Sequence, residues 1–191
     1  RFAQSAREML AAGELVVPTF AGQPRYHKPV LHSWCTMASF AVLGVSPWAA
    51  RLPSSLAATA LVGLLAWWAR RRLPPGSGLL TALLLLATPA LFVQARAATA
   101  DMVMLLPTVA AMLALERISC HDERLRWPLL FWLGMGAGVL AKGPVAPAVA
   151  AAAGMALWVM ERRWRLWQLV TGFALAVAGW WGLGASVLLV P

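Results

Sequence analysis

Few residues in this chain can do chemistry, and their positions are uneven. Lys28 and Lys142 are the only lysines; one directly precedes Pro29, the other precedes Gly143-Pro144. A lysine ammonium is a compact charge suited to gripping a phosphate. Proline immediately after Lys28 stiffens the backbone and holds that charge at a fixed depth. Asp101 is the only acid flanked by long apolar sequence. A carboxylate left unpaired in lipid is costly, so it needs a cation, a polar cavity or a chemical task. Arg96, five residues earlier, and Arg51 are possible ion-pair partners for it, and Arg96 is equally a candidate second contact to a phosphate. His27 and His32 are also five apart, on a loop and at a helix start. They could ligate a metal, although structural or interfacial histidines are the commoner case. The simpler reading of either lysine alone is an ammonium snorkelling to the headgroups.

The elements that must position these groups follow from composition. Of 191 residues, 61% are hydrophobic and 12% charged, whereas a soluble domain carries about a quarter charged residues. Uncharged runs cover 52–69, 73–95, 102–115, 127–141, 143–160 and 166–191. A spanning helix needs roughly 17 to 25 apolar residues. Four runs meet that alone, and the two shorter ones are bounded by charges that can lie at an interface or in a polar cavity. The expected fold is therefore all-α, a polytopic membrane helical bundle with about six spans over residues 51–191.

The net charge of +9 does not signal nucleic acid, because such binders gather basic residues on one soluble face. Here Arg70-Arg71-Arg72, Arg117/Arg124/Arg126 and Arg162/Arg163/Arg165 follow alternate spans, the positive-inside pattern. The arginine clusters then lie on one side of the membrane, and Arg96, Asp101 and Lys142 on the other. Cys35 and Cys120 fall on opposite sides, so they do not pair, and neither has metal-site spacing. The tryptophans at 67–68, 164/167 and 180–181 read as interface markers.

Residues 1–50 read as a first outer loop. Phe2–Ala12 is an amphipathic helix with Phe2, Ala6, Met9 and Leu10 on one face, ended by Gly13. Leu15–Pro29 is loop-like, punctuated by Pro18, Gly22, Pro24 and Pro29. An interfacial helix follows at about Leu31–Leu43, mixing Ser33, Thr36 and Ser39 with Trp34 and Phe40, and Gly44 with Ser46-Pro47 closes it. The sequence opens in mid-helix and stops as an apolar run ends, so a longer chain is expected around it.

The ordered set Arg1-Phe-Ala-Gln-Ser-Ala-Arg-Glu-Met-Leu10, Gly13-Glu-Leu-Val-Val-Pro18, Lys28-Pro29-Val-Leu-His-Ser-Trp34, Arg96-Ala-Ala-Thr-Ala-Asp101 and Gly138-Val-Leu-Ala-Lys142-Gly-Pro144 resembles the polyprenyl-phosphate-dependent glycosyltransferases. These are the relatives of lipid A aminoarabinose transferase and protein O-mannosyltransferase. The resemblance covers nearly the whole chain, although Lys-Gly-Pro alone is a weak motif. It implies a GT-C fold in a bacterial inner membrane with its site facing the periplasm. The implied activity moves a sugar, with inversion, from a polyprenyl-phosphate donor to a lipid or protein acceptor.

By this likeness Lys28 and Lys142 hold the donor phosphate, with Arg96 a further candidate contact from its position alone, and Asp101 matches the family's second acidic position, near the site. Two departures bear on mechanism. The family's first acidic pair would precede Arg1, which places the general base outside this sequence and leaves Asp101 as the weaker candidate. The residue before Lys28, often Glu in the family, is His27; the resemblance leaves room for a divalent metal ion there, held by a ligand of different charge.

Inverting transfer needs a base for the acceptor hydroxyl and cations for the departing phosphate, and the residues supply the cations. The competing readings are an anionic-lipid transporter or flippase-like carrier, and a non-catalytic membrane scaffold. A transporter should show broken helices and mid-membrane charges, often with internal repeats; the sequence suggests neither.

Overall fold

The computed structural model describes residues 2–13, 19–20, 23–24, 30–120 and 124–161. The chain divides into two compact units, Arg1–Ala146 and Pro147–Pro191. The elements are α1 (Phe2–Ala12), β1 (Thr19–Phe20), β2 (Gln23–Pro24), α2 (Leu31–Leu43), α3 (Pro47–Arg72), α4 (Ser77–Leu86), α5 (Pro89–Arg96), α6 (Ala100–Ser119), α7 (Arg126–Lys142) and α8 (Val145–Glu161). β1 and β2 form a two-residue antiparallel ladder, Thr19 opposite Pro24 and Phe20 opposite Gln23. The fold is otherwise helical, as the sequence implied.

Helices α1 and α2 keep the bounds expected of them. Gly13 (φ 69°) and Gly44 (φ 73°) take the left-handed backbone that stops each helix. The buried face of α1 differs from expectation by one position: Ser5 is buried with Ala6 and Met9, while Leu10 is exposed. Ala6 and Met9 pack with Met37, Phe40, Ala49 and Ala50, a cluster joining α1, α2 and the start of α3. Helix α2 turns its polar residues inward, burying His32, Ser33, Thr36 and Ser39 and exposing Trp34, Val42 and Leu43. At 13 residues it is about 20 Å long, too short for a hydrocarbon core of roughly 30 Å.

Helix α3 begins five residues before the expected span. Ser46 caps it by accepting a hydrogen bond from the Ala49 amide at 3.2 Å, and Pro47 occupies the first turn. Ser46-Pro47 therefore opens α3 more than it closes α2. Pro53 lies inside α3 and lacks the N–H that the Ala49 carbonyl would accept four residues earlier. The Ser39 hydroxyl of α2 donates to that carbonyl at 2.6 Å, so the proline defect becomes an attachment point between helices.

The expected span over 79–94 is instead two helices, α4 and α5, bent by 65°. The break has a local cause. Pro89 has no amide hydrogen, and it pushes Thr88 out of the helical region to φ −77°, ψ 113°. The Thr88 hydroxyl bonds back to the Leu84 carbonyl at 2.8 Å. A broken helix is thus present although the sequence suggested none, but Ala87, Thr88 and Pro89 bring no charge to it.

By length and composition, two helices among the described residues are suited to crossing a membrane, α3 and α6, and three if the bent pair is one span. Helices α7 and α8 have 17 residues each. The sixth expected span, 166–191, and the Arg162–Arg165 cluster lie outside the described residues. Leu79, Leu80, Leu83, Leu84, Phe92 and Val93 are exposed along α4 and α5, as lipid contact requires and water would disfavour.

Close approach of backbones holds the bundle. A Cβ added to Gly134 would lie 2.5 Å from the Pro107 carbonyl oxygen and 2.9 Å from the Ala111 Cβ. One added to Gly138 would lie 2.5 Å from the Ala146 Cβ and 3.2 Å from Thr108 Oγ1. Small residues of this kind let helices associate in lipid, where no hydrophobic force drives them together. Gly134→Ala is therefore expected to lower unfolding stability in detergent by about 1–3 kcal/mol. Gly136→Ala, whose added Cβ meets nothing within 4 Å, should leave the unfolding midpoint unchanged; equal losses in both variants would contradict this packing.

Candidate active site

Helices α3 and α6 run side by side in the same direction. At one end the Ser54 hydroxyl of α3 donates to the Thr99 carbonyl before α6, at 3.0 Å. At the other, Arg72 of α3 donates to both carboxylate oxygens of Glu116, at 2.9 and 3.2 Å. Helix α7 returns antiparallel, so Lys142, its last residue, reaches the first turn of α6 and forms an ion pair with Asp101. Each charge suits its helix end: a carboxylate at an N-terminus and an ammonium at a C-terminus both oppose the macrodipole. Gly143 follows at φ 78° and turns the chain into α8.

The pair is accessible, with 48% of the Lys142 side chain and 28% of the Asp101 side chain exposed. Beneath it Met102 and Ala141, the sequence neighbours of the pair, pack with Ala57, Ala58 and Val103, and Leu31 and Cys35 of α2 lie against them. The strand of chain leading into Asp101 is also pinned to α3. Besides the Ser54 bond, the Ser55 hydroxyl reaches the Ala95 carbonyl at 3.0 Å, and Thr99 Oγ1 lies 3.3 Å from Gln94 Oε1. These serines were not singled out from the sequence; their only signal there is that two adjacent hydroxyls interrupt an apolar run.

The Asp101 carboxylate has Lys142 as its partner, and neither Arg96 nor Arg51 among the described residues pairs with it. The Arg96 guanidinium instead lies 5.1 Å over the ring of Phe92 on its own helix. Lys28 and His27 lie outside the described residues. Among the described residues no three His, Cys, Asp or Glu side chains converge where they could hold a metal ion.

His32, read from the sequence as more often structural or interfacial than metal-binding, has a structural place. It is almost fully buried on α2. Burial lowers its pKa from 6.5 to about 4, and the Asp101 charge acts in the opposite direction. Its imidazole is therefore neutral at physiological pH. Burial raises the Cys35 thiol on the same helix. Cys35 and Cys120 are both free.

The arrangement is a helical integral membrane protein with an accessible ammonium–carboxylate pair at one end of its bundle. The chain belongs to the dolichyl-phosphate-mannose-protein mannosyltransferase family, whose pattern matches residues 27–181. It is 31% identical over 170 residues to the undecaprenyl phosphate-alpha-4-amino-4-deoxy-L-arabinose arabinosyl transferase of Edwardsiella ictaluri, covering 86% of this chain and 31% of that protein. It is 34% identical over 183 residues to the enzyme of the same name from Pseudomonas paraeruginosa, covering 93% of this chain and 33% of that one.

Among solved structures, ArnT from Cupriavidus metallidurans in the apo state superposes with a TM-score of 0.84 at 26% identity, over 97% of this chain and 36% of that one. The same protein bound to undecaprenyl phosphate gives 0.82 at 27% identity, with the same coverage. The fold is thus the GT-C membrane fold. The chain spans about a third of the length of the curated relatives it matches.

The buried histidine predicts a pH dependence. The folded state keeps His32 neutral down to about pH 4, whereas the unfolded chain protonates it near 6.5. Unfolding thus takes up a proton between these values, and stability present above pH 6.5 is lost as pH falls toward 4. The loss is on the order of 3 kcal/mol. Thermal unfolding from pH 7 to 4 should show this decline, and His32→Gln should flatten it; an unchanged slope in the variant would remove the assignment.

Proposed function

We propose that this chain is part of a membrane glycosyltransferase that moves a sugar from a polyprenyl-phosphate carrier to a lipid acceptor of the lipid A kind, or to a protein. The observation that carries the reading is the pairing of Lys142 with Asp101 at an accessible rim, in a fold shared with a protein solved with undecaprenyl phosphate bound. Residues 1–50 are read as an extracytoplasmic first loop and 51–191 as the membrane domain, in a bacterial inner membrane with the rim toward the periplasm. The arginine clusters support that orientation, because basic loops stay on the cytoplasmic side.

In this reading Lys142 supplies the ammonium that meets the donor phosphate and stabilises charge developing on it as the glycosidic bond breaks. A lysine has three N–H donors, so the bond to Asp101 fixes the direction of the ammonium and leaves donors for a ligand. Lys28 is assigned as the second cation on the phosphate. Arg96, stacked on Phe92, would have to leave that ring to join them. Asp101 positions Lys142 and is the acid nearest the reacting groups among the described residues. The Ser54 and Ser55 bonds to the 95–99 backbone keep its helix start in register.

Lys28→Ala and Lys142→Ala are each expected to lower transfer from a polyprenyl-phosphate donor by about 100-fold or more with membrane insertion intact. Full activity in both variants would remove the phosphate-holding role. Orientation is tested separately by an impermeant maleimide. Cys120 is exposed and should react only after permeabilisation, whereas the partly exposed Cys35 should react from outside. Fast labelling of Cys120 in intact cells would invert the topology.

A further inference from the structure

The end of the bundle opposite Asp101 and Lys142 has more hydrogen-bond donors than acceptors. It gathers the last turns of α3 and α6 and the first turn of α7. The Glu116 carboxylate serves two cations: Arg72 at 2.9 Å and Arg117 at 3.9 Å. The Trp127 indole likewise serves two, with Arg117 of α6 at 5.4 Å and Arg126 of α7 at 4.5 Å from the ring centre. Arg71 lies 4.7 Å over Trp67. At the same end the side-chain polar atoms of Trp68, Ser119 and Trp127 are buried with no hydrogen-bond partner among the described residues. Across residues 70–72 and 116–126 the sequence holds six arginines against three carboxylates, Glu116, Asp122 and Glu123, so the excess of positive charge remains when the whole loop is counted.

Guanidinium and indole N–H groups only donate. Two guanidiniums from different helices brought to one ring repel each other, and stacking leaves their in-plane N–H edges free for an acceptor. Among the described residues the oxyanion in this cluster is the Glu116 carboxylate, already shared by Arg72 and Arg117, so the stacked guanidiniums can take a further one. Around it Trp67, Leu73, Leu125, Leu129 and Leu133 are exposed, which puts the arginines where apolar surface meets a headgroup layer. We propose that this rim binds the phosphate of an anionic membrane lipid, held by Arg117 and Arg126 beside the Trp127 ring, with Arg70 and Arg71 adding charge at the end of α3. The lipid belongs to the leaflet opposite the Asp101–Lys142 rim and is separate from any donor held there.

The test is thermal unfolding of the protein in nanodiscs of phosphatidylcholine, with and without phosphatidylglycerol. Phosphatidylglycerol should raise the wild-type midpoint by a few degrees. Arg117→Gln/Arg126→Gln should lose most of that rise, and Arg7→Gln/Arg51→Gln, which removes two exposed arginines elsewhere, should keep it. If the first double variant does not fold, Arg126→Gln alone should lose a clear part of the rise. The proposal is overturned if wild type shows no rise, or if the two double variants lose it equally. It is also overturned if inorganic phosphate in lipid-free detergent reproduces the full rise, which would make the ligand a free anion. A response seen only in Asp122→Asn/Glu123→Gln would show that the loop's own acids fill the site.

Discussion

Lys142 meets Asp101 because α7 presents glycines where it packs on α6, Gly134 against the Pro107 carbonyl and Ala111, and Gly138 against Thr108. Gly134, Gly138 and Lys142 recur every four residues and share one stripe of α7. The facing stripe of α6 runs from Ala111 through Thr108 and Pro107 toward Asp101 at the helix start. The two glycines bring the backbones together, and the same seam ends in the ion pair. A side chain at either glycine would spread the helices and pull the ammonium from its partner. Packing and electrostatics are therefore one constraint here, and the ion pair inherits its geometry from two residues that carry no functional group.

The remaining attachments near the pair use hydroxyls in the same economical way. In lipid, a backbone carbonyl without a donor is expensive, and short polar side chains can repair it while joining two helices. Ser39 fills the carbonyl that Pro53 leaves open. Ser54 and Ser55 take the Thr99 and Ala95 carbonyls at the approach to α6. Each repair fixes α2, α3 or the 95–101 segment to a neighbour, and together they frame the rim on which Asp101 stands.

Much of this was legible in the sequence because its signals are of the kind that one position decides. Gly13 and Gly44 end α1 and α2 where expected, since positive φ favours glycine. Among the described residues, Arg70-Arg71-Arg72 with Arg117 and Arg126, and the isolated Asp101 with Lys142, lie at opposite ends because uncharged runs leave charges nowhere else to go. What was not legible depended on neighbours. Whether Pro89 breaks a span or is absorbed, as Pro53 and Pro107 are, depends on what satisfies the freed backbone groups. Arg96 stands five residues from Asp101, yet the end of α5 and the Thr99 turn separate them, and Phe92 one turn back holds the guanidinium. His32 reads from its type as a structural or interfacial histidine sooner than a ligand; only the packing of α2 shows how deeply it is buried.

The two ends of the bundle differ in charge balance, and that difference limits what each can hold. At the Asp101 end the ammonium of Lys142 is paired with the Asp101 carboxylate, and the neighbouring His32 adds no charge. Such a pair is close to neutral, so it orients a ligand better than it attracts one; a phosphate arriving there meets the Asp101 charge as well as Lys142. Strong anion binding at this rim therefore needs another cation. Arg96 is turned onto Phe92; in the proposed reading the added cation is Lys28. The opposite end has the reverse problem, more cations than its carboxylates neutralise, so it attracts an anion without needing further help. A chain with few charges thus separates orientation from attraction, one to each face of the membrane.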